Sequence, residues 1–508
     1  MALTIPTPKT PAGEAVIAYR FEAGWDENGL NRAQSPEFNH YWGMAETMWL
    51  RGTPEDPDEL VDWLAVGWEL TGSMPKPHAK LTIRRGVKFH KQYGDFGEMT
   101  AHDVAWSMND ANGATTPESI HGQAGDFAGL WGAWTATDDY TIEFDFVSFD
   151  ATWRDDYLNA NGQSFTVYSK KAYDQKGADW SRDHIVATGP YQPVLWERDN
   201  KVTMEATGIH YMFTPKTNRI SVLMVPEAST RAAMLKTGEV DAALIEPKDA
   251  GQFTKAGFGV TSTHNDVQIG LFFSGNLWEK THALTGDPLL RGTYVHNLPW
   301  IGNPDQPDDM EQAREIRLAM ALAYDREAIN DALLAGLGKP VMVEYVDIDH
   351  PRWQAKWDYG YDPDEAIRLI EKQTVNYQQG SADKSKLNGR AFEVSIYVGP
   401  ELGGGVSVAG ELGDAVAGYW SDIGLKTFVL KFSYQTFRPT VVGRTNTHPF
   451  LTSCDKGRSA NPWHFPKGLV QTSLTRGGFG CGFESPEILR LYQATAVETD
   501  RTKAAQLV

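Results

Sequence analysis

Adjacent acids and scattered imidazoles are the residues of this chain with the most obvious chemistry to offer. Asp138/Asp139, Asp155/Asp156 and Asp308/Asp309 are paired carboxylates, and two carboxylates flanking a glycosidic bond suffice for glycoside hydrolysis. Adjacent acids are nevertheless the ordinary charge of a solvated loop, and adjacency does not set the separation that such catalysis requires. The histidines are scattered without ligand spacing, and no H-E-x-x-H, G-x-S-x-G or G-x-x-x-x-G-K-[ST] occurs. Gly477-Gly478-Phe479-Gly480-Cys481-Gly482 resembles a phosphate cradle, but no Lys-Ser/Thr follows it and no strong strand precedes it, so it reads as a turn. Cys454 and Cys481 are too few for a disulfide scaffold or a cysteine-rich metal site. They read as two thiols, with a single bridge as the alternative. Nothing here demands an enzyme, a metal or a cofactor.

The elements that would position a site belong to a large globular chain. Its 508 residues are 41% hydrophobic and 22% charged, enough for two to four domains and unlike a disordered composition. No apolar run approaches the roughly 18 residues of a membrane helix. The 47 basic and 66 acidic side chains leave a formal charge of −19, which argues against nucleic acid as a partner. The 17 Trp, 19 Tyr and 22 Phe are side chains that line recognition clefts but more often fill cores. Met1 to Lys9 has neither a basic n-region nor an apolar h-region, so it does not read as a signal peptide.

Glu14 to Arg20 reads as the first strand. Ala79 to Arg85 alternates apolar and polar residues up to Gly86, and Thr141 to Phe146 does the same. Thr100-Ala101-His102-Asp103 is a capping-box-like helix start. Arg219 to Val225, a short helix capped by Ser229 and stopped by Gly238, and Val240 to Leu244 form a strand-helix-strand unit, which implies a parallel or mixed sheet. Glu311 to Leu334 is helical, with Asp325 placed to restart it. Asp362-Pro363-Asp364-Glu365 supplies an N-cap, a proline and first-turn acids. Leu412 to Ile423 is a helix ending at Gly424, followed by a strand from Leu425 to Leu430. Trp278 to Met310, rich in Pro, Gly and Asn, reads as a long surface insertion.

These modules together resemble a family. Leu81-Thr82-Ile83-Arg84-Arg85-Gly86-Val87-Lys88-Phe89-His90 and Met99 to Val104 are similar to the "L-R-x-G-V-K-F-H … L-T-A-x-D-V" signature of the oligopeptide, dipeptide and nickel-binding receptors of ABC importers. Ala187-Thr188-Gly189-Pro190-Tyr191 resembles G-T-G-P-Y, and Ser229 to Asp241 resembles L-x-x-G-E-x-D. Ile316 to Ile329 resembles V-R-x-A-L-x-x-A-I-D-R-x-x-I, and Tyr361 to Ala366 resembles Y-D-P-E-K-A. Six motifs stand in the family's order from about residue 14 onward.

The resemblance implies an α/β, two-lobed periplasmic-binding-protein-like fold of the large class II type. It implies a first lobe from 1–45 and 187–272, an extra subdomain from 46–186 and a second lobe from 273–508. Solute is expected between the lobes, and hinge closure around it is expected to couple occupancy to docking on the permease subunits. A monomeric, extracytoplasmic protein with no cofactor and no covalent chemistry follows. The motifs read mostly as scaffold, and the expected ligand contacts come from less regular segments. They are Phe38, Asn39 and His40 in an early loop; Phe272, beside Phe273, where the chain crosses to the second lobe; Tyr397 and Glu401 after a second-lobe strand; and Cys454, Asp455, Arg458 and Trp463 in a late loop.

Two departures bear on the ligand. Dipeptide-binding members hold the peptide carboxylate with an Arg after the strand that Tyr397 ends, yet Leu402-Gly403-Gly404-Gly405 has none, and Arg458 stands where a second acid is expected. A longer peptide, a glycoside or another organic solute is therefore expected rather than a simple dipeptide. The chain also stops at Val508, where relatives continue with strands returning to the first lobe. A fragment with an unpaired first-lobe sheet edge is the expectation. The alternatives are a secreted glycoside hydrolase using paired carboxylates, or a chaperone-like or sensory protein on the same fold.

Overall fold

The structure is a computed structural model that describes residues 13–20, 30, 32, 43–51, 60–159, 165–197, 200–261, 269–273, 281, 286, 288, 298–303, 305–343, 346–348, 353–376, 392–399, 408–433, 436, 440, 447–453 and 486–507. The chain divides into two compact units, Met1–Leu244 with Ala496–Thr499 and Ile245–Thr495 with Asp500–Val508.

In the first unit, β1 (Glu14–Tyr19) opens one sheet, and the chain then builds a second from β2 (Ala65–Thr71), β3 (His78–Ile83), β4 (Thr135–Asp138) and β5 (Thr141–Asp145). This second sheet is antiparallel in the order β2-β3-β5-β4. Its strands form as their period-two pattern dictates: Ala79, Leu81 and Ile83 are buried while Lys80 and Thr82 are exposed. The helix α1 (Ala101–Ala111) starts at Thr100, whose backbone N–H donates to the Asp103 carboxylate at 2.9 Å. The core beneath is built on tryptophan. Trp49, Trp131, Trp134 and Trp153 are fully buried, and Trp134 stacks on Phe144 with ring centroids 4.5 Å apart.

The first sheet is completed by β6 (Tyr191–Glu197), β7 (Lys201–Ala206), β8 (Arg219–Met224), the helix α2 (Ala228–Thr237) and β9 (Ala242–Ala243), in the order β9-β1-β8-β7-β6. β1 lies parallel to both β8 and β9, so β8-α2-β9 is the strand-helix-strand unit expected from the sequence. Glu227, not Ser229, takes the N-cap position, because Pro226 ends the strand and the helix begins at once, leaving Ser229 inside its first turn. Gly238 ends α2 in the left-handed conformation that glycine adopts without strain. Asp241 then ties β9 to β1, since its carboxylate accepts from Val16 N–H at 2.8 Å while its own N–H donates to the Val16 carbonyl.

The second unit contains β10 (Ile269–Phe272), α3 (Pro307–Leu322), α4 (Arg326–Leu334), α5 (Pro363–Asn376), β11 (Glu393–Val398), α6 (Val408–Asp422), β12 (Lys426–Lys431) and β13 (Phe450–Ser453). The sheet order is β10-β13-β11-β12, with β11 parallel to β12 and β13, and β10 antiparallel to β13. Val394, Ile396 and Val398 point to one face and pack with Ile316, Met320, Val416 and Trp420 from the helices. The helical stretch from Glu311 to Leu334 is broken at Asp325, whose extended backbone and carboxylate cap α4 by accepting from Ala328 N–H at 3.0 Å. Asp362 accepts from Glu365 N–H at 2.9 Å at the start of α5.

The division between the units falls at Leu244/Ile245, and β10, which hydrogen-bonds to β13, is part of the second unit's sheet. The expected surface insertion is at the surface only in part: Thr281, Gly286, Pro288 and Asp305 to Asp308 are exposed, but Trp300 and Ile301 are 1% and 0% exposed, and Pro307 to Met310 begin α3. The apolar Leu298-Pro299-Trp300-Ile301 cluster sinks into the core in spite of its loop-like flanks, since burying a large side chain contributes about 1.5–3 kcal/mol.

Candidate functional site

Register places an aromatic row across the second unit's sheet. Phe272 on β10 pairs with Phe450 on β13, Phe450 pairs with Tyr397 on β11, and Tyr397 pairs with Leu430 on β12. Directly opposed residues share a face, so these four form a stripe on the side away from Val394, Ile396 and Val398. Phe450 is buried, with Phe272, Tyr397 and Phe432 packed around it. The Phe272 and Phe450 rings are 5.6 Å apart, as are those of Tyr397 and Phe432. Phe273 goes to the opposite face and stacks against Trp420, as strand alternation requires.

The segment entering β13 supports the row. His448 lies 5.6 Å from the Tyr397 ring and 5.3 Å from Trp300. Its Nδ1 accepts from Ser395 N–H at 3.2 Å, which leaves the ring proton of the neutral form on Nε2. Burial pushes the His448 imidazole below its ordinary pKa and the Tyr397 phenol above its own. The row is an apolar platform edged by one phenol and one neutral imidazole.

The motifs of the first unit form a buried polar scaffold. The His90 backbone N–H donates to the Ala187 carbonyl, and its Nε2–H donates to the Gly189 carbonyl at 3.0 Å, joining V-K-F-H to A-T-G-P-Y. Gly189 is required there, because a Cβ would lie 2.6 Å from the carbonyl carbon of Met44. Next to this crossing, buried Glu46 accepts from Trp63 Nε1–H and His210 Nε2–H, each at 2.7 Å. His210 Nδ1 faces the backbone N–H groups of Met212 and Phe213 at 3.3 and 3.4 Å, so the neutral ring keeps its proton toward Glu46. Burial, followed by the nearby Glu46 charge, pushes the Tyr211 phenol far up. Arg84 donates through Nε to the Trp63 carbonyl and packs over Tyr211.

Of the residues expected to contact ligand, Phe272 and Tyr397 are brought together through Phe450. Phe38, Asn39, His40, Glu401, Cys454, Asp455, Arg458 and Trp463 lie outside the described residues. Phe450, His448 and Trp300 were not singled out by the sequence, although His448-Pro449-Phe450-Leu451 has the look of a proline-led apolar strand start. Members of the paired acids have structural partners. Asp138 accepts from Tyr140 N–H at 2.7 Å, Asp155 from Asn159 Nδ2–H at 2.8 Å, Asp156 from Thr152 Oγ1–H at 2.8 Å and Asp309 from Asn303 N–H at 2.7 Å. Among the described residues no group of His, Cys, Asp and Glu could hold a metal ion, and no helix is long and apolar enough to cross a membrane.

Comparison with known proteins agrees with this picture. Haem-binding protein A of Haemophilus influenzae is 23% identical over 450 residues, covering 84% of this chain and 72% of that protein. The dipeptide-binding protein of Escherichia coli is 21% identical over 395 residues, covering 74% of this chain, and the chain spans 64% of its length. The periplasmic binding protein DppA of Helicobacter pylori, solved with the peptide STSA, superposes with a TM-score of 0.66 at 17% identity, over 98% of this chain and 89% of that one. The fold is therefore that of the two-lobed periplasmic binding proteins. Residues 59–447 match the family described as bacterial extracellular solute-binding proteins, family 5 Middle, and the chain belongs to that family.

Proposed function

We propose that the protein is the solute-capturing component of an ABC importer, holding a peptide or another organic solute outside the cytoplasm and presenting it unchanged to membrane permease subunits. The family match over residues 59–447 carries this reading. The ligands in the relatives' names, haem, dipeptide and the peptide STSA, support an organic ligand without selecting one. The row of Phe272, Phe450 and Tyr397 supports an apolar contact, since small-molecule sites are lined mainly by apolar and aromatic side chains with a few placed polar groups. Phe272 and Tyr397 are the proposed contacts within the described residues. A family of solute-binding proteins, with partners already found for members of the paired acids, favours this reading over a glycoside hydrolase.

The proposed ligand is not a simple dipeptide, because Leu402 to Gly405 supplies no Arg to pair a free carboxylate. A ligand that binds only the folded state raises its melting temperature. A thermal-shift series over dipeptides, longer peptides, glycosides and small organic solutes should give its largest shift with a ligand other than a dipeptide, and a dipeptide giving the largest shift would overturn the assignment.

A further inference from the structure

We infer that Trp300 is a positioning residue for the solute-facing row, acting through the segment Thr447–Phe450; this rests on reading Phe272 and Tyr397 as solute contacts. Trp300 lies outside the sheet, 97 residues before Tyr397 in sequence, and is 1% exposed. It is held at both ends. Its carbonyl accepts from Arg317 Nη1–H at 2.7 Å, which fixes it to α3, and its indole Nε1–H donates to the Thr447 carbonyl at 2.9 Å. Its ring rests 5.3 Å from His448.

The residues that follow Thr447 are joined in turn to β11. His448 Nδ1 accepts from Ser395 N–H, the Pro449 carbonyl accepts from Tyr397 N–H at 2.9 Å, and Phe450 enters register with Tyr397 and Phe272. The indole therefore anchors the first residue of a four-residue segment whose last residue is the centre of the row. A short irregular segment with one anchor removed opens more often, and here that opening acts on the backbone partner of Tyr397. Arg317, a residue of the V-R-x-A-L-like motif, thereby supports the row from a helix on the other face of the sheet.

Trp300→Phe keeps a buried ring but removes the indole N–H. Trp420→Phe is the control. That indole donates to the Met320 carbonyl at 2.8 Å and is equally buried in the same core, but this bond does not reach residues 447–450. In Trp300→Phe, hydrogen exchange of the Tyr397 amide should rise by about fivefold, the equivalent of one ordinary hydrogen bond. The His448 imidazole, assigned in NMR titrations with His448→Gln, should move back up toward its ordinary value. Trp420→Phe should move neither signal even where it lowers the melting temperature. Retention of a tri- to octapeptide library, read by native mass spectrometry, should fall in both Trp300→Phe and Tyr397→Ala. Unchanged Tyr397 exchange and His448 titration in Trp300→Phe, or equal movement in Trp420→Phe, overturn the positioning role. Movement specific to Trp300→Phe, with retention undiminished in both Trp300→Phe and Tyr397→Ala, overturns the solute-contact reading instead.

Discussion

Two glycines in one helix should respond differently to the same substitution. Gly413 and Gly418 both lie within α6, and alanine at either gains about 1 kcal/mol of helix propensity over glycine. Gly418 is exposed, and a Cβ there would meet nothing within 4 Å. Gly413 is where α6 rests on the sheet. A Cβ there would lie 2.7 Å from Val398 Cγ2, 3.3 Å from Val429 Cγ1 and 3.4 Å from Leu451 Cδ1. Val398 is fully buried and stiff at χ1, so its methyl cannot swing aside cheaply. Forcing a methyl into such a contact costs about 1–3 kcal/mol, which offsets or exceeds the propensity gain. Gly418→Ala should therefore stabilise by about 1 kcal/mol, while Gly413→Ala should be neutral or lose up to about 2 kcal/mol. For a unit of this size, at roughly 2–4 °C per kcal/mol, the two variants should differ by roughly 2–12 °C in calorimetric melting temperature. A double-mutant cycle with Val398→Ala should show a coupling of about 1 kcal/mol or more for Gly413→Ala and none for Gly418→Ala. Equal melting temperatures for the two variants would show that helix and sheet are not in the close contact described.

Two further outcomes concern the first unit. His90 is buried and its pKa is lowered to about 4, chiefly by desolvation and partly offset by its bond to Gly189. Between the ordinary value near 6.5 and about 4, the unfolded chain binds a proton that the folded chain refuses. Stability should fall as pH drops through that window, by about 3 kcal/mol in full. Urea midpoints measured across the window should flatten in His90→Gln, and an unchanged slope would mean that other groups govern the acid response. At Glu46, replacement by alanine leaves the buried Trp63 and His210 N–H groups without their acceptor, a loss of about 2–5 kcal/mol. Glu46→Gln keeps an acceptor oxygen and should lose clearly less; equal unfolding midpoints for the two variants would contradict the described network.

What the sequence made legible was local. Period-two burial at Ala79, Leu81 and Ile83, the Thr100–Asp103 cap, the restart at Asp325 and the stop at Gly238 are each decided within a few residues, and each is present. What it hid was non-local. β10 is four residues long, and its partner Phe450–Ser453 lies about 180 residues later, so nothing near Phe272 announces the second unit's sheet. The same register brings Phe272 and Tyr397 onto one row, yet no local pattern marks Phe450 as its centre or His448 as its neighbour. Trp300 was obscured by its proline- and glycine-rich flanks, although its burial is what a Leu-Pro-Trp-Ile cluster favours once a core is available to receive it.

The proposed function is capture of a solute that is returned unchanged. Native mass spectrometry of the protein as purified, followed by release and identification of what it carries, tests this directly when paired with incubation of that compound at catalytic amounts of protein. A one-to-one complex with an organic solute whose mass is the same before and after incubation is expected. Progressive conversion of the compound by substoichiometric protein would contradict it.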